Sequence, residues 1–171
     1  CSWFAGMFTA LNPSVEEQLT LQPEMFAALS SPHSRPINII LGLLKNLCSH
    51  PRFLTDDFLD QTTVLFASDV KAVHQNTLGV LSKLAKEKKE YHDAICCAAT
   101  QGLMSRDEST QNKIVKLIQT FGETESPTLK EALSAYAETM LTSTKKELAA
   151  YLKDNVSDAL STDKVLLTTL D

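Results

Sequence analysis

Three stretches of the chain lie over one another when written in register. Ile40-Leu41-Gly42-Leu43-Leu44-Lys45-Asn46-Leu47 aligns with Thr77-Leu78-Gly79-Val80-Leu81-Ser82-Lys83-Leu84, and that segment aligns with Lys113-Ile114-Val115-Lys116-Leu117-Ile118-Gln119-Thr120. The steps are 37 and 36 residues, a period typical of repeats built from two helices and a turn. One such pair cannot bury its own apolar face, so neighbouring pairs must stack. The expected repeats span about 23–49, 54–86, 90–122 and 126–153. An irregular helical N-terminus precedes them, and a tail from residue 154 falls out of register.

Composition agrees with helices. Of 171 residues, 43% are hydrophobic and 22% charged, so the chain is long and apolar enough to bury a core. Gly (5) and Pro (6) are scarce and aromatics are 6%, which favours helices over a sandwich or barrel. Net charge is −5, from 16 basic against 21 acidic residues. That balance disfavours nucleic acid as a partner, because phosphate binding draws on basic excess. The densest basic run, Lys86-Glu87-Lys88-Lys89, is expected in a solvated loop. No apolar run is long enough to span a bilayer. The four cysteines, Cys1, Cys48, Cys96 and Cys97, form no disulfide framework, which fits a reducing, cytoplasmic setting. A chain opening at Cys1 resembles a processed lipoprotein, but Trp3, Phe4, Met7 and Phe8 follow where a polar tether belongs. A boundary within a longer protein is the expected reading.

Punctuation along the chain places the helices. Trp3, Phe4, Met7, Phe8 and Leu11 suit a short amphipathic helix over residues 2–11. Ser14-Val-Glu-Glu17 is a capping box, and Pro23 suits the first turn of a helix carrying Met25, Phe26 and Leu29. Ser30 to Ser34 is a break. A long helix follows from about Arg35 to Ser49, ended by His50-Pro51. Thr55-Asp56-Asp57 opens the next, and Ser68-Asp69 closes it. Helices are then expected from Val70 to Leu84, from Tyr91 to Met104, and around Ile114 to Phe121 with Gly122 as the stop. Ser126-Pro127 opens a helix reaching Met140, and Thr142-Ser143-Thr144 separates it from a last one over Lys145 to Lys153. The first member of each pair ends at an aligned position, Leu29, Phe66 or Leu103. Leu41, Leu44, Leu78, Leu81, Ile114 and Leu117 are the expected core.

Asp69 followed by Val70-Lys71, Val73, Thr77, Leu78-Gly79 and Leu81 resembles the second half of a HEAT repeat. Lys71 stands where that family tends to have Arg, and Thr77 where it has Ala. The third copy carries Arg106-Asp107 in place of Val-Lys, and Pro36 intrudes in the first. The chain is also similar to bacterial HEAT-like families of unknown function. The resemblance covers roughly residues 23–153. It implies an all-α fold, a right-handed α-α superhelix of stacked antiparallel helix pairs whose second helices line the concave face. HEAT-like DNA glycosylases would need a basic groove bearing aromatics; this chain is acidic, and its one Trp is Trp3.

Chemistry-bearing motifs are few. His92 and Cys96 share a helix face, with Cys97 adjacent, but no second pair completes a four-ligand site, so core packing is the expected role of both thiols. Asp56 and Asp57 are expected to stabilise a helix start rather than do acid–base work. With no phosphate loop, nucleophile elbow or Cys-x-x-Cys, neither catalysis nor a cofactor is expected. The remaining signal is polar. Asn38, Gln75 and Gln111 occupy equivalent positions in the second helices, as do Asn46, Lys83 and Gln119. Both sets are expected on an exposed face, where amides that donate and accept suit an extended peptide backbone. The expected function is a non-catalytic scaffold binding a protein partner through Asn38, Gln75, Lys83, Gln111 and Gln119, with the chain a monomer away from membranes. A nucleic-acid-associated module and a spacer between domains are the alternatives.

Overall fold

The computed structural model describes residues 14–152; the helix expected at 2–11 and the tail from Asn155 lie outside the described residues. Helix α1 (Val15–Thr20) begins where the Ser14 hydroxyl accepts from the Glu17 amide at 3.3 Å. Helix α2 (Gln22–Ala28) carries Pro23 in its first turn. Helix α3 (Ser34–Leu47) holds Pro36 within its own first turn, where a missing N–H removes no helical bond. Helices α4 (Thr55–Phe66) and α5 (Lys71–Glu87) follow. Helix α6 (His92–Thr100) is prolonged by a tight 3₁₀ turn, Gln101–Met104. Asp107 caps α7 (Glu108–Phe121), its Oδ2 accepting from the Thr110 amide at 2.8 Å. Ser126 caps α8 (Pro127–Ala135), and α9 (Thr142–Glu147) follows. Among the described residues there is no strand.

The helices pack by parity. In one row α2 touches α4, α4 touches α6 and α6 touches α8; in the other α3 touches α5, α5 touches α7 and α7 touches α9. Contacts α2–α3, α4–α5 and α6–α7 join the rows. Both rows turn apolar stripes into a shared core. Leu41, Leu44, Leu78, Leu81, Ile114 and Leu117 are all buried, none more than 3% exposed, as the register requires. Leu29, Phe66 and Leu103, the aligned row ends, are buried too. Phe26, Phe53 and Phe58 close one end of the core, with ring centroids 6.1–6.4 Å apart.

Three local expectations need correction, and the Gly122 stop holds for a reason of its own. Helix α5 runs through Glu87, so Lys86 is helical rather than in a loop, and Lys88 turns inward to donate to Thr55 Oγ1 at 2.7 Å. Helix α8 ends at Ala135, not Met140: the Tyr136 and Ala137 amides bond back three residues, tightening the chain into turns. Thr142-Ser143-Thr144 is no separator but the first turn of α9, with Thr144 buried. Gly122 stops α7 without a left-handed conformation (φ −79°). Its role is space, since a Cβ there would lie 2.7 Å from the Ile118 carbonyl oxygen and 2.9 Å from Leu129. No described helix is long and apolar enough to cross a membrane.

Candidate functional site

The second-row helices α3, α5 and α7 leave a groove of ≈550 Å³ between them. Its floor includes Leu78, Gly79, Leu117 and Phe121, and its rim carries Lys45, Lys86, Lys113 and Lys116. Amide and hydroxyl groups of Gln75, Asn76, Ser82 and Thr120 fill the gaps, and among the described residues no carboxylate lines it. Lys45 crosses from α3 over α5: a Cβ added at Gly79 would meet its ammonium at 3.5 Å, so the small residue leaves room for the side chain to lie flat. Among the described residues, none of the four rim lysines makes an ion pair; the pairs seen are Arg52–Glu16 at 2.7 Å and Lys71–Asp107 at 3.0 Å.

The expected polar ladder is present but turned to another use. Asn38 Oδ1 accepts from Asn76 Nδ2 at 2.9 Å, tying α3 to α5. Gln75 Nε2 donates to Thr110 Oγ1 at 3.1 Å, tying α5 to α7. Thr110 Oγ1 in turn donates to Asp107, which Lys71 also holds. The Thr110 amide, then Lys71, keep the Asp107 carboxyl below its ordinary range. Lys83 Nζ donates to the Lys45 carbonyl at 2.9 Å, and Gln119 Nε2 to the Glu147 carbonyl at 3.3 Å. Lys83 and Gln119 thus serve orphan carbonyls near the C-terminal ends of neighbouring helices. Asn46 is exposed.

Gln111 overturns its expectation outright. It is 0% exposed. Its Nε2 donates to the carbonyls of Leu103 (3.3 Å), Ser105 (2.9 Å) and Thr139 (3.1 Å). Its Oε1 accepts from the Leu141 amide (2.9 Å) and Thr144 Oγ1 (2.7 Å). Two turns converge on this point with backbone groups that need partners, and one amide supplies both signs. Gln22, 2% exposed, repeats the device. Its Nε2 donates to the Leu19 and Arg52 carbonyls, and its Oε1 accepts from the Leu54 amide at 2.8 Å. Leu54 and Leu141 are the N-cap residues of α4 and α9 and have no side-chain cap of their own. A remote glutamine does the capping in each case.

Charge divides by row, which the total had concealed. Helices α3, α5, α7 and α9 carry nine basic residues against three acidic, Glu87, Glu108 and Glu147. Helices α2, α4, α6 and α8 carry six acidic residues, all exposed, against Lys130 alone. The run Lys86 to Lys89 splits: Lys86 reaches the groove, while Lys88 lies 5.5 Å over the Phe53 ring. A tally of charge by helix parity, rather than along the chain, would have found the groove.

Cys96 and Cys97 sit on the other row. Cys96 is fully buried, its thiol pushed up to about 12 by burial; Cys97 is half-buried, its thiol pushed up to about 11 by the same cause. His92 Nε2 lies 2.6 Å from the Ala85 carbonyl and its ring stacks near Phe121 at 5.0 Å. Among the described residues no three His, Cys, Asp or Glu side chains gather as a metal site. A second concavity of ≈360 Å³ lies where the α2–α3 and α4–α5 turns meet, bounded by Pro32, Val64, Asp69 and Val70.

A protein-family profile described as a domain of unknown function, DUF6493, matches residues 1–72, less than half of the chain. Comparison with curated proteins and with solved structures finds no match.

Proposed function

We propose that this chain is a HEAT-like, right-handed stack of helix pairs that works as a non-catalytic protein-interaction scaffold, docking its partner on the second-row face. The observation that carries this reading is the groove across α3, α5 and α7. It is concave, has an apolar floor, and is rimmed by lysines without carboxylate partners among the described residues. Stacked pairs characteristically build extended binding surfaces of this kind. The parity packing and the Lys71–Asp107 bridge from one pair to the next support the HEAT-like arrangement. Free, protonated thiols at Cys48, Cys96 and Cys97 suit a reducing, cytoplasmic setting.

The alternative of a nucleic-acid-associated module draws on the same lysines. It is the weaker reading, because Phe121 is the one aromatic among the described residues that line the groove, and one side of its ring lies against His92. Base stacking needs free aromatic faces. The test is site-specific photocrosslinking in cells. A crosslinker at Ser82, in the groove, should give discrete protein adducts that excess unlabelled chain competes away. One at Asp60, on the opposite row, should give none. Adducts only from Asp60 would move the interaction face to the first row. Silence at both positions would leave the spacer role.

A further inference from the structure

The groove's two chemistries say what it would hold. Four ammonium groups and, among the described residues, no carboxylate line it, so the field inside favours negative charge although the protein as a whole is acidic. Its floor is apolar: Leu78 and Leu117 are buried beneath it, and the partly exposed Phe121 with the lysine methylene stems forms its open surface. A free small anion would leave that floor wet, and a bare polyanion could not cover it. Adjacent helix axes stand about 8–10 Å apart, so crossing from α3 to α7 takes roughly 16–20 Å. An extended chain covers that in about five or six residues, with side chains alternating between the two faces.

Resting on the interaction reading above, we infer that the groove takes an extended acidic segment of a partner protein, its carboxylates facing Lys45, Lys86, Lys113 and Lys116 and its interleaved apolar side chains seated on Phe121 and the lysine methylene stems. The polar groups between the lysines, Gln75, Asn76, Ser82 and Thr120, stand where a peptide backbone would run. The acidic first row repels the same segment, which confines it to one face.

The experiment uses the full chain and three fluorescent probes, each about ten units long to span the groove. They are a peptide alternating Glu with Leu, a poly-glutamate peptide and a single-stranded oligothymidylate. Anisotropy titrations at low salt should show the alternating peptide binding at least tenfold more tightly than the other two. Lys113→Glu with Lys116→Glu should weaken it tenfold or more, and Lys45→Gln with Lys86→Gln should weaken it less. Asp57→Lys with Asp60→Lys should not weaken it. Circular dichroism melts establish that each variant is folded. Tighter binding of the oligonucleotide would overturn the proposal in favour of nucleic acid. Equal binding of poly-glutamate would remove the role of the apolar floor. Self-association abolished by the Lys113 and Lys116 reversals, with no peptide binding, would make the occupant a second copy. If the peptide fails while Ser82 crosslinks still capture a protein competitively, the interaction stands and its acidic chemistry falls; if both fail, both fall.

Discussion

The two rows of helices share one core and one rhythm, yet they meet solvent as opposites. The first row shows Asp56, Asp57, Asp60 and Asp93 on faces with almost no basic residue; the second shows lysines around a groove. Burial demands apolar residues equally of both, so the core does not distinguish them. What differs is the face each row leaves over, and that face is free to vary because packing does not constrain it. A net charge of −5 is the remainder of two larger, opposed quantities. It described neither surface.

The comparison can be broken or sharpened by substitution. The largest effect should come where the rows are joined. Leu81→Ala, fully buried on α5, should cost about 2–5 kcal/mol in chemical denaturation, because it opens a cavity both rows line. A cost below about 1 kcal/mol would mean the rows do not share that core. Next, the second row's polar residues should prove unequal. Gln111→Ala should cost about 2–4 kcal/mol, since it strands buried groups of two turns. Gln75→Ala, which loses one bond to a threonine hydroxyl, should cost about 1 kcal/mol or less. Similar costs for the two would refute the division between clamp and tie.

The first row should carry the larger alkaline pH signature, although burial also pushes up the Cys48 thiol at the end of α3. The Cys96 and Cys97 thiols titrate higher when folded than when unfolded, where the ordinary value is 9.0. Their contribution is therefore complete below pH 9.0 and is lost as pH rises toward about 11 and about 12. Cys96→Ala should flatten that alkaline loss in melts taken across the range. Alkylation of Cys96 in the native protein at pH 8 should be slower than in urea. The smallest effect is expected at His74 on α5, 5% exposed, whose two ring nitrogens find no hydrogen-bond partner among the described residues. His74→Leu keeps its packing against Phe66 and removes two unsatisfied groups, so stability should hold or rise by about 1 kcal/mol. A large loss would show that the imidazole has a polar role.

Much of the fold was legible because it rests on period and punctuation. The Ser14 capping box, Pro23, Thr55 and the Leu41, Leu78 and Ile114 register all act within a few residues or one repeat. The misses have long-range causes. Nothing near Gln111 in sequence marks it as buried; its partners at Thr139, Leu141 and Thr144 arrive from the next pair. The same contacts explain why α8 stops early and α9 starts early, since the chain must turn to present those groups. The groove was missed for a related reason. Lys45, Lys86, Lys113 and Lys116 are scattered in the chain and assemble only when the second helices stand side by side.

The glutamine at position 111 also bears on how such a stack comes apart. In a row of pairs a helix with few neighbours opens before one packed on both sides. Here α9 leans on α7, and the amide fastens the start of α9 by its Leu141 N–H and Thr144 hydroxyl together. Opening cannot then proceed a residue at a time from that point. The first turn of α9 must release as a unit, and hydrogen exchange at the Leu141 amide reports on the latch.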